Sequence, residues 1–316
     1  MTTTTRFYAS AFVLLLLLVA APLASAQVRT PRASPKASVM QTIGVTDVTI
    51  TYSRPGVKGR TIWGDPLPEQ AATKGEATLD DQNLRPKGAP IVPWGHAWRT
   101  GANEATQFVV TDDVFINGQK LAAGSYSLHT IPTKDEFTII FNSVANQWGS
   151  FGYDATKDTL RIKVKPEWSE HSKEWLEYWI DPINDNSAQV NIRWEKLRVP
   201  FTVEVKDVQA LTLQKARAAV AAAKPDDFMT RLQAANYALQ NKNVDEGWAW
   251  LEESIKIKET LGNVGLKARA LAEQGKTAEA IAAGERAIQV GKDAKANAQA
   301  IANMEKLVAE WKAKKS

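Results

Sequence analysis

Cysteine is absent from the 316-residue chain, which excludes disulfides, thiolate metal sites, a cysteine nucleophile and a lipid-modified cysteine anchor. Histidine is scarce, with three in all, and none stands at the spacing of a zinc motif such as His-Glu-x-x-His. A ligand set can be drawn only by joining His96, His129 and Asp80 or Asp81 from distant stretches, so neither a metal site nor a cofactor is expected. A Gly-x-Ser-x-Gly nucleophile turn and a phosphate-cradling glycine loop are also missing. An excess of one charge is lacking too, because the formal net charge is only +4 and acids are interleaved with bases. Nucleic-acid binding needs a dense Lys/Arg stripe that neutralises several phosphates, and the one basic run, Lys312, Lys314 and Lys315, is a tail at a helix end. No nucleic-acid partner is expected.

One strongly apolar stretch is present, Ala11–Ala21 around Leu14–Leu18, preceded by Arg6 and followed by Ala24-Ser25-Ala26. Those three parts are a positive start, an apolar middle and a small-residue cleavage site, and they predict a signal peptide over residues 1–26 cut after Ala26. The stretch is shorter than the roughly 20 apolar residues that span a bilayer, and Pro22 breaks it. No later stretch is apolar enough to cross a membrane, so the expected compartment is periplasmic or extracellular. An exported chain without cysteine suits a bacterial envelope.

Beyond the leader two regions differ in hydrophobic period. Between about Thr42 and Val205 apolar residues alternate in short runs, as in Val48, Ile50 and Tyr52, or Val190, Ile192 and Trp194. Alternation is the period of half-buried strands. Asn117-Gly118, after Val114-Phe115-Ile116, is the residue pair of a tight hairpin turn. After Lys206 the chain becomes alanine-rich with apolar residues three and four apart, the period of helices. The expected fold is therefore α+β and multidomain: an all-β, jelly-roll-like sandwich over residues 27–206, then a helical region over 207–316.

The helical part repeats itself. Ala238–Ile255 aligns with Leu271–Ile288 at an offset of 33 residues, matching Glu246 to Glu279 and Ile255 to Ile288. The offset resembles the unit of about 34 residues of tetratricopeptide arrays. Two helical hairpins over about 226–290, with a final helix over about 295–312, are expected. So few units do not bury their own apolar faces, so the region is expected to lean on the β domain or on a second copy.

Chemistry-bearing residues concentrate in Tyr52–Gly64 and Val92–Thr106, where glycines that permit tight turns alternate with Arg, Trp, Asn and Glu. Together with Asn117–Leu121, Gly124–Leu128 and Asn142–Gly149, these segments resemble the DUF2911 family over about residues 31–206. The resemblance implies a secreted bacterial β domain of unknown function, sometimes followed by helical repeats, and brings no active site with it. Two departures stand out. Glu69–Pro90 is a polar insertion, and His96 stands where the family more often has another polar residue, which argues against an obligatory catalytic role for His96.

Arg54, Arg60, Trp63, Trp94, Trp98, Arg99, Asn103 and Glu104 are the candidate ligand-binding residues. Indoles beside guanidinium, amide and carboxylate groups stack on a planar face and hydrogen-bond its edge, so a glycan or a small anion fits them. The plainer alternative places most tryptophans, Trp175, Trp179 and Trp194 among them, in the core. The leading expectation is an exported, non-enzymatic binding protein whose helical region docks a protein partner or a second copy. A periplasmic hydrolase using Glu104 and His96, with Arg99 and His129 nearby, is the enzymatic alternative. The reading preferred over it makes Arg99 and Glu104 a structural ion pair that pins the turn at Gly101, with His96 merely exposed. An envelope assembly factor without a ligand is the third alternative.

Overall fold

The computed structural model describes residues 30–68 and 88–315. The expected leader, Met1–Ala26, and most of the Glu69–Pro90 stretch, Asp80 and Asp81 included, lie outside the described residues.

Twelve strands precede the helices among the described residues. A six-stranded sheet runs in the order β1 (Lys36–Ile43), β2 (Thr46–Ser53), β5 (Thr106–Val110), β8 (Gly124–Pro132), β9 (Phe137–Asn142) and β10 (Asp158–Val164). A four-stranded sheet runs β11 (Glu167–Asn184), β12 (Ser187–Glu204), β6 (Val114–Ile116), β7 (Gln119–Leu121). Every neighbouring pair in both sheets is antiparallel. A short parallel pair, β3 (Trp63–Gly64) with β4 (Val92–Pro93), closes one end.

Alternation decides which face of each strand goes inward. In β2, Val48, Ile50 and Tyr52 are buried while Asp47, Thr49 and Thr51 are half-exposed. The two sheets face each other across one core, in which Phe201 of β12 lies 6.3 Å from Phe108 of β5 and 6.0 Å from Phe141 of β9 between ring centroids. Asn117 (φ 46°) and Gly118 (φ 80°) form the left-handed pair joining β6 to β7, and the Asn117 side chain accepts the Thr202 amide at 2.7 Å, tying that hairpin to β12. Trp194 is buried as expected. Trp175 is not: it is 36% exposed, because it sits on the outer strand β11, where Lys58 lies over its ring.

Six helices follow: α1 (Val208–Ala222), α2 (Phe228–Gln240), α3 (Val244–Ile257), α4 (Leu261–Glu273), α5 (Thr277–Asp293) and α6 (Ala298–Lys315). The sequence repeat reappears in the backbone. After α2, Lys242 turns left-handed (φ 64°), and 33 residues later Gly275 does the same (φ 75°) after α4. The closing bonds match as well: Asn243 N to Ala238 O at 2.9 Å, and Lys276 N to Leu271 O at 3.0 Å. Both are the left-handed stop that satisfies the last carbonyls of a helix.

Helix α1 joins the two regions. Asp207 caps it by accepting the Ala210 amide at 2.8 Å, a carboxylate at a helix N-terminus being favourable. Val208 and Leu211 pack against the β core, while Leu213 is buried in a cluster with Ala235 and Leu251 of the following helices. Lys215 donates to the Asp112 carboxylate at 2.6 Å and to the Val45 carbonyl at 2.8 Å. The helical region thus leans on the β sheets through one helix that is apolar toward both. Among the described residues no helix is long and apolar enough to cross a membrane.

Candidate functional site

The segment Trp94–Thr106 runs along the end of the large sheet and is held there by backbone bonds. Gly95 donates to Pro132 O at 2.8 Å, and Trp98 and Thr130 exchange bonds of 2.8 and 2.9 Å. Beyond Trp98 the chain twists through two left-handed residues, Thr100 (φ 52°) and Asn103 (φ 59°). The turn is fixed from below by Tyr178, whose hydroxyl donates to Thr100 O at 2.8 Å. Thr106 Oγ1 donates to the same carbonyl at 2.9 Å. Two further bonds, Ala105 N to Gln147 O (3.0 Å) and Gly149 N to Asn103 O (2.9 Å), bring Asn142–Gly149 alongside. Gly149 is required there: it is left-handed (φ 67°), and a Cβ on it would lie 2.8 Å from Arg99 Nη1.

Two pockets flank this loop. The first, of about 250 Å³, is lined by Lys36, Ser53, Glu104, Gln107, Asn146, Gln147 and Trp148 among others. Trp148 is 55% exposed, an indole left out in solvent beside amides and charges. The Gln147 side-chain amide donates to Ser127 Oγ at 2.9 Å and to Val144 O at 3.1 Å, yet its buried Oε1 meets no donor among the described residues. Gln107 and Asn146 are hydrogen-bonded to each other. Arg32 Nη1 donates to both oxygens of Glu104, at 2.7 and 2.8 Å. Partial burial raises the Glu104 carboxyl, but the hydrogen bond and charge of Arg32, with Lys36 beyond it, outweigh burial and hold it below the usual carboxylate value.

The second pocket, of about 240 Å³, is lined by Ser34, Pro55, Arg60, Ile91, Trp98, Arg99 and Trp194 among others. Tyr52–Gly64 and Val92–Thr106 meet here, through Arg60, Trp98 and Arg99. Arg60 is anchored by its own turn, with Nε donating to Val57 O at 3.1 Å and Nη2 to Gly56 O at 2.6 Å. Behind the pocket stands an aromatic stack. Trp98 and Trp194 lie 5.9 Å apart at 20°, Trp63 and Trp94 lie 5.9 Å apart at 7°, and Trp63 meets Trp98 edge-on at 5.5 Å. Trp98 spends its N–H on Gly101 O at 3.1 Å. Among the described residues the buried Nε1 atoms of Trp63 and Trp194 meet no acceptor, and a buried donor left so costs about 1–3 kcal/mol.

The remaining candidates divide between these pockets and the scaffold. Arg54 bonds Leu176 O through Nε at 2.8 Å and lies 3.8 Å from Glu177, so it clamps β2 to β11. Asn103 donates to Ser34 O at 3.1 Å, fixing the irregular segment that carries Arg32 into β1. Trp63 and Trp94 belong to the stack. The suggested Arg99–Glu104 ion pair is replaced by Arg32–Glu104, because the left-handed turns at Thr100 and Asn103 separate the two side chains into different pockets. His96 is 6% exposed rather than open to solvent, and it does not line the pocket that holds Glu104. His129 is fully buried, its ring 4.9 Å from that of Tyr153.

A carboxylate held ionised by Arg32 is poorly suited to donate a proton as a general acid, which requires a raised value. Among the described residues no group of three or more His, Asp or Glu side chains is placed to hold a metal ion. Lys36, Asn146, Gln147 and Trp148 line the first pocket but were not among the candidates, because alternation marks Trp148 only as one aromatic in a turn-rich stretch. The signal present was the motif Asn-Gln-Trp-Gly itself, a large indole before a glycine, a residue that weakens a strand interior.

Residues 34–203 match a family described as a protein of unknown function (DUF2911). No curated protein and no solved structure matches the chain.

Proposed function

Because the chain belongs to the DUF2911 family, whose description assigns no activity, we propose a function from the site alone: an exported, non-enzymatic binding protein that holds a saccharide in the pocket beside Trp148. The observation that carries this reading is an indole 55% exposed over a pocket whose other walls are Lys36, Glu104, Gln107, Asn146 and Gln147. An aromatic face stacks on the C–H face of a sugar ring, while carboxylate and amide oxygens accept its hydroxyls. Gln147 also lines the pocket, and among the described residues its Oε1 has no donor, which leaves an acceptor uncommitted within the chain. The Arg32 ion pair keeps Glu104 charged and oriented, which suits an acceptor rather than a proton donor.

Export rests on the leader pattern at Met1–Ala26. We read the β region as a jelly-roll-like sandwich on the strength of its two antiparallel sheets and shared core. We read the helices as a tetratricopeptide-like array on the strength of the 33-residue backbone repeat, and a helical array of this kind is suited to docking a protein partner or a second copy.

Calorimetric titration of the full chain with bacterial envelope oligosaccharides tests the site. Binding that disappears in Trp148→Ala supports it. Binding that is indifferent to Trp148 and Glu104 removes the pocket, turnover of a glycan would favour the hydrolase, and silence across the panel leaves an assembly factor.

A further inference from the structure

The second pocket carries a separate inference. Trp194 is 1% exposed, lines that pocket, and among the described residues its indole N–H meets no acceptor. Trp63, whose ring stands edge-on to Trp194 at 5.9 Å, has a second buried N–H without an acceptor. Buried donors in native proteins are nearly always satisfied, by protein, by ordered water or by a bound group. A donor left over beside a cavity therefore asks for an acceptor from outside the chain.

The cavity wall supplies the charge such an acceptor would need. Arg60 enters the lining with Nε and Nη2 engaged by the carbonyls of Val57 and Gly56, so its guanidinium plane is fixed. Among the described residues its Nη1 has no acceptor. A planar, pre-organised guanidinium recognises carboxylates with little entropy lost on binding. The rest of the lining includes apolar groups, Pro55, Ile91 and the Trp98 ring. The volume, about 240 Å³, is below the range of drug-sized sites and admits only a small body.

We propose that this pocket binds the carboxylate of a small organic acid, with the acid group between Arg60 and the Trp194 N–H and the carbon body against Pro55, Ile91 and Trp98. The site is independent of the saccharide pocket: the lining residues of the two do not overlap, and Trp148 belongs to the other one.

The test is calorimetric titration of the full chain with short aliphatic and aromatic monocarboxylates, each beside its neutral amide at equal ionic strength. At least one acid should bind at least about tenfold more tightly than its amide. Arg60→Gln should remove that preference, and Trp194→Phe, which keeps a ring but loses the donor, should weaken the acid by a similar factor. Near-ultraviolet circular dichroism reports whether Trp194→Phe has kept its packing; if it has not, Arg60→Gln decides alone. Trp148→Ala should leave acid binding unchanged. Failure of every acid to bind, equal affinity for acid and amide, an unaffected Arg60→Gln, or loss of acid binding in Trp148→Ala would each overturn the proposal.

Discussion

Val208 occupies the space that a side chain at Gly44 would need: its Cγ1 lies 2.4 Å from the position of a Cβ on that glycine. Gly44 is also left-handed, with φ 60°, so the turn between β1 and β2 is shaped to receive the first residue of α1. Gly44→Ala combines an unfavourable backbone with an overpacked contact. It should destabilise the chain by about 2–4 kcal/mol and separate the melting of the helices from that of the sheets, read by far- and near-ultraviolet circular dichroism. A single unshifted transition would show that α1 does not couple the two regions.

The same junction should respond to acid. Burial raises the Asp112 carboxyl, but hydrogen bonds from Lys215, Thr46 and Thr111 and the charge of Lys215 outweigh it and lower its pKa below the usual value. A depressed folded value stabilises the fold above the unfolded value of about 3.9 and that contribution is lost as pH falls through the folded value. Thermal stability should therefore decline below about pH 4, and Asp112→Asn should flatten that part of the pH profile while lowering stability at neutral pH.

Trp148→Ala should separate binding from folding. Its exposure means that stability should change by no more than about 0.5 kcal/mol, while saccharide affinity should fall about tenfold or more. Parallel calorimetry and thermal melts would check both halves, and a large drop in melting temperature would reassign Trp148 to packing.

Tyr178 lines neither pocket, but its hydroxyl donates to Thr100 O at the left-handed turn that both pockets flank. Burial raises its pKa well above the usual value, so it remains a neutral donor at any working pH. Tyr178→Phe should cost about 1 kcal/mol of stability and loosen the Arg99–Glu104 turn, seen as faster amide exchange there and weaker binding. Unchanged exchange would mean that the Thr106 bond to the same carbonyl is enough by itself.

Much of the scaffold could be read from the chain because its signals are local. Strand alternation and the Asn117-Gly118 turn depend on residues a few positions apart, and the 33-residue offset repeats one local helical pattern in the next unit. Backbone geometry at one repeat is therefore reproduced at the next. The absence of cysteine ruled out whole classes of chemistry before any geometry was known. The segments that carry the site were also visible, since Arg, Trp and Gly crowd into them in a way that strand alternation does not explain.

Partnership was decided elsewhere. Arg32 and Glu104 are 72 positions apart, and composition gave no reason to prefer that pair over Arg99 with Glu104. The left-handed turns at Thr100 and Asn103 chose between them by sending the two side chains to different pockets. Burial divided the tryptophans in the same manner: Trp98 and Trp194 stack inside while Trp148 stays in solvent. An indole has the same hydrophobic value wherever it falls in a sequence. Whether it becomes core or binding face depends on which strands come to lie over it, and that is a property of long-range packing alone.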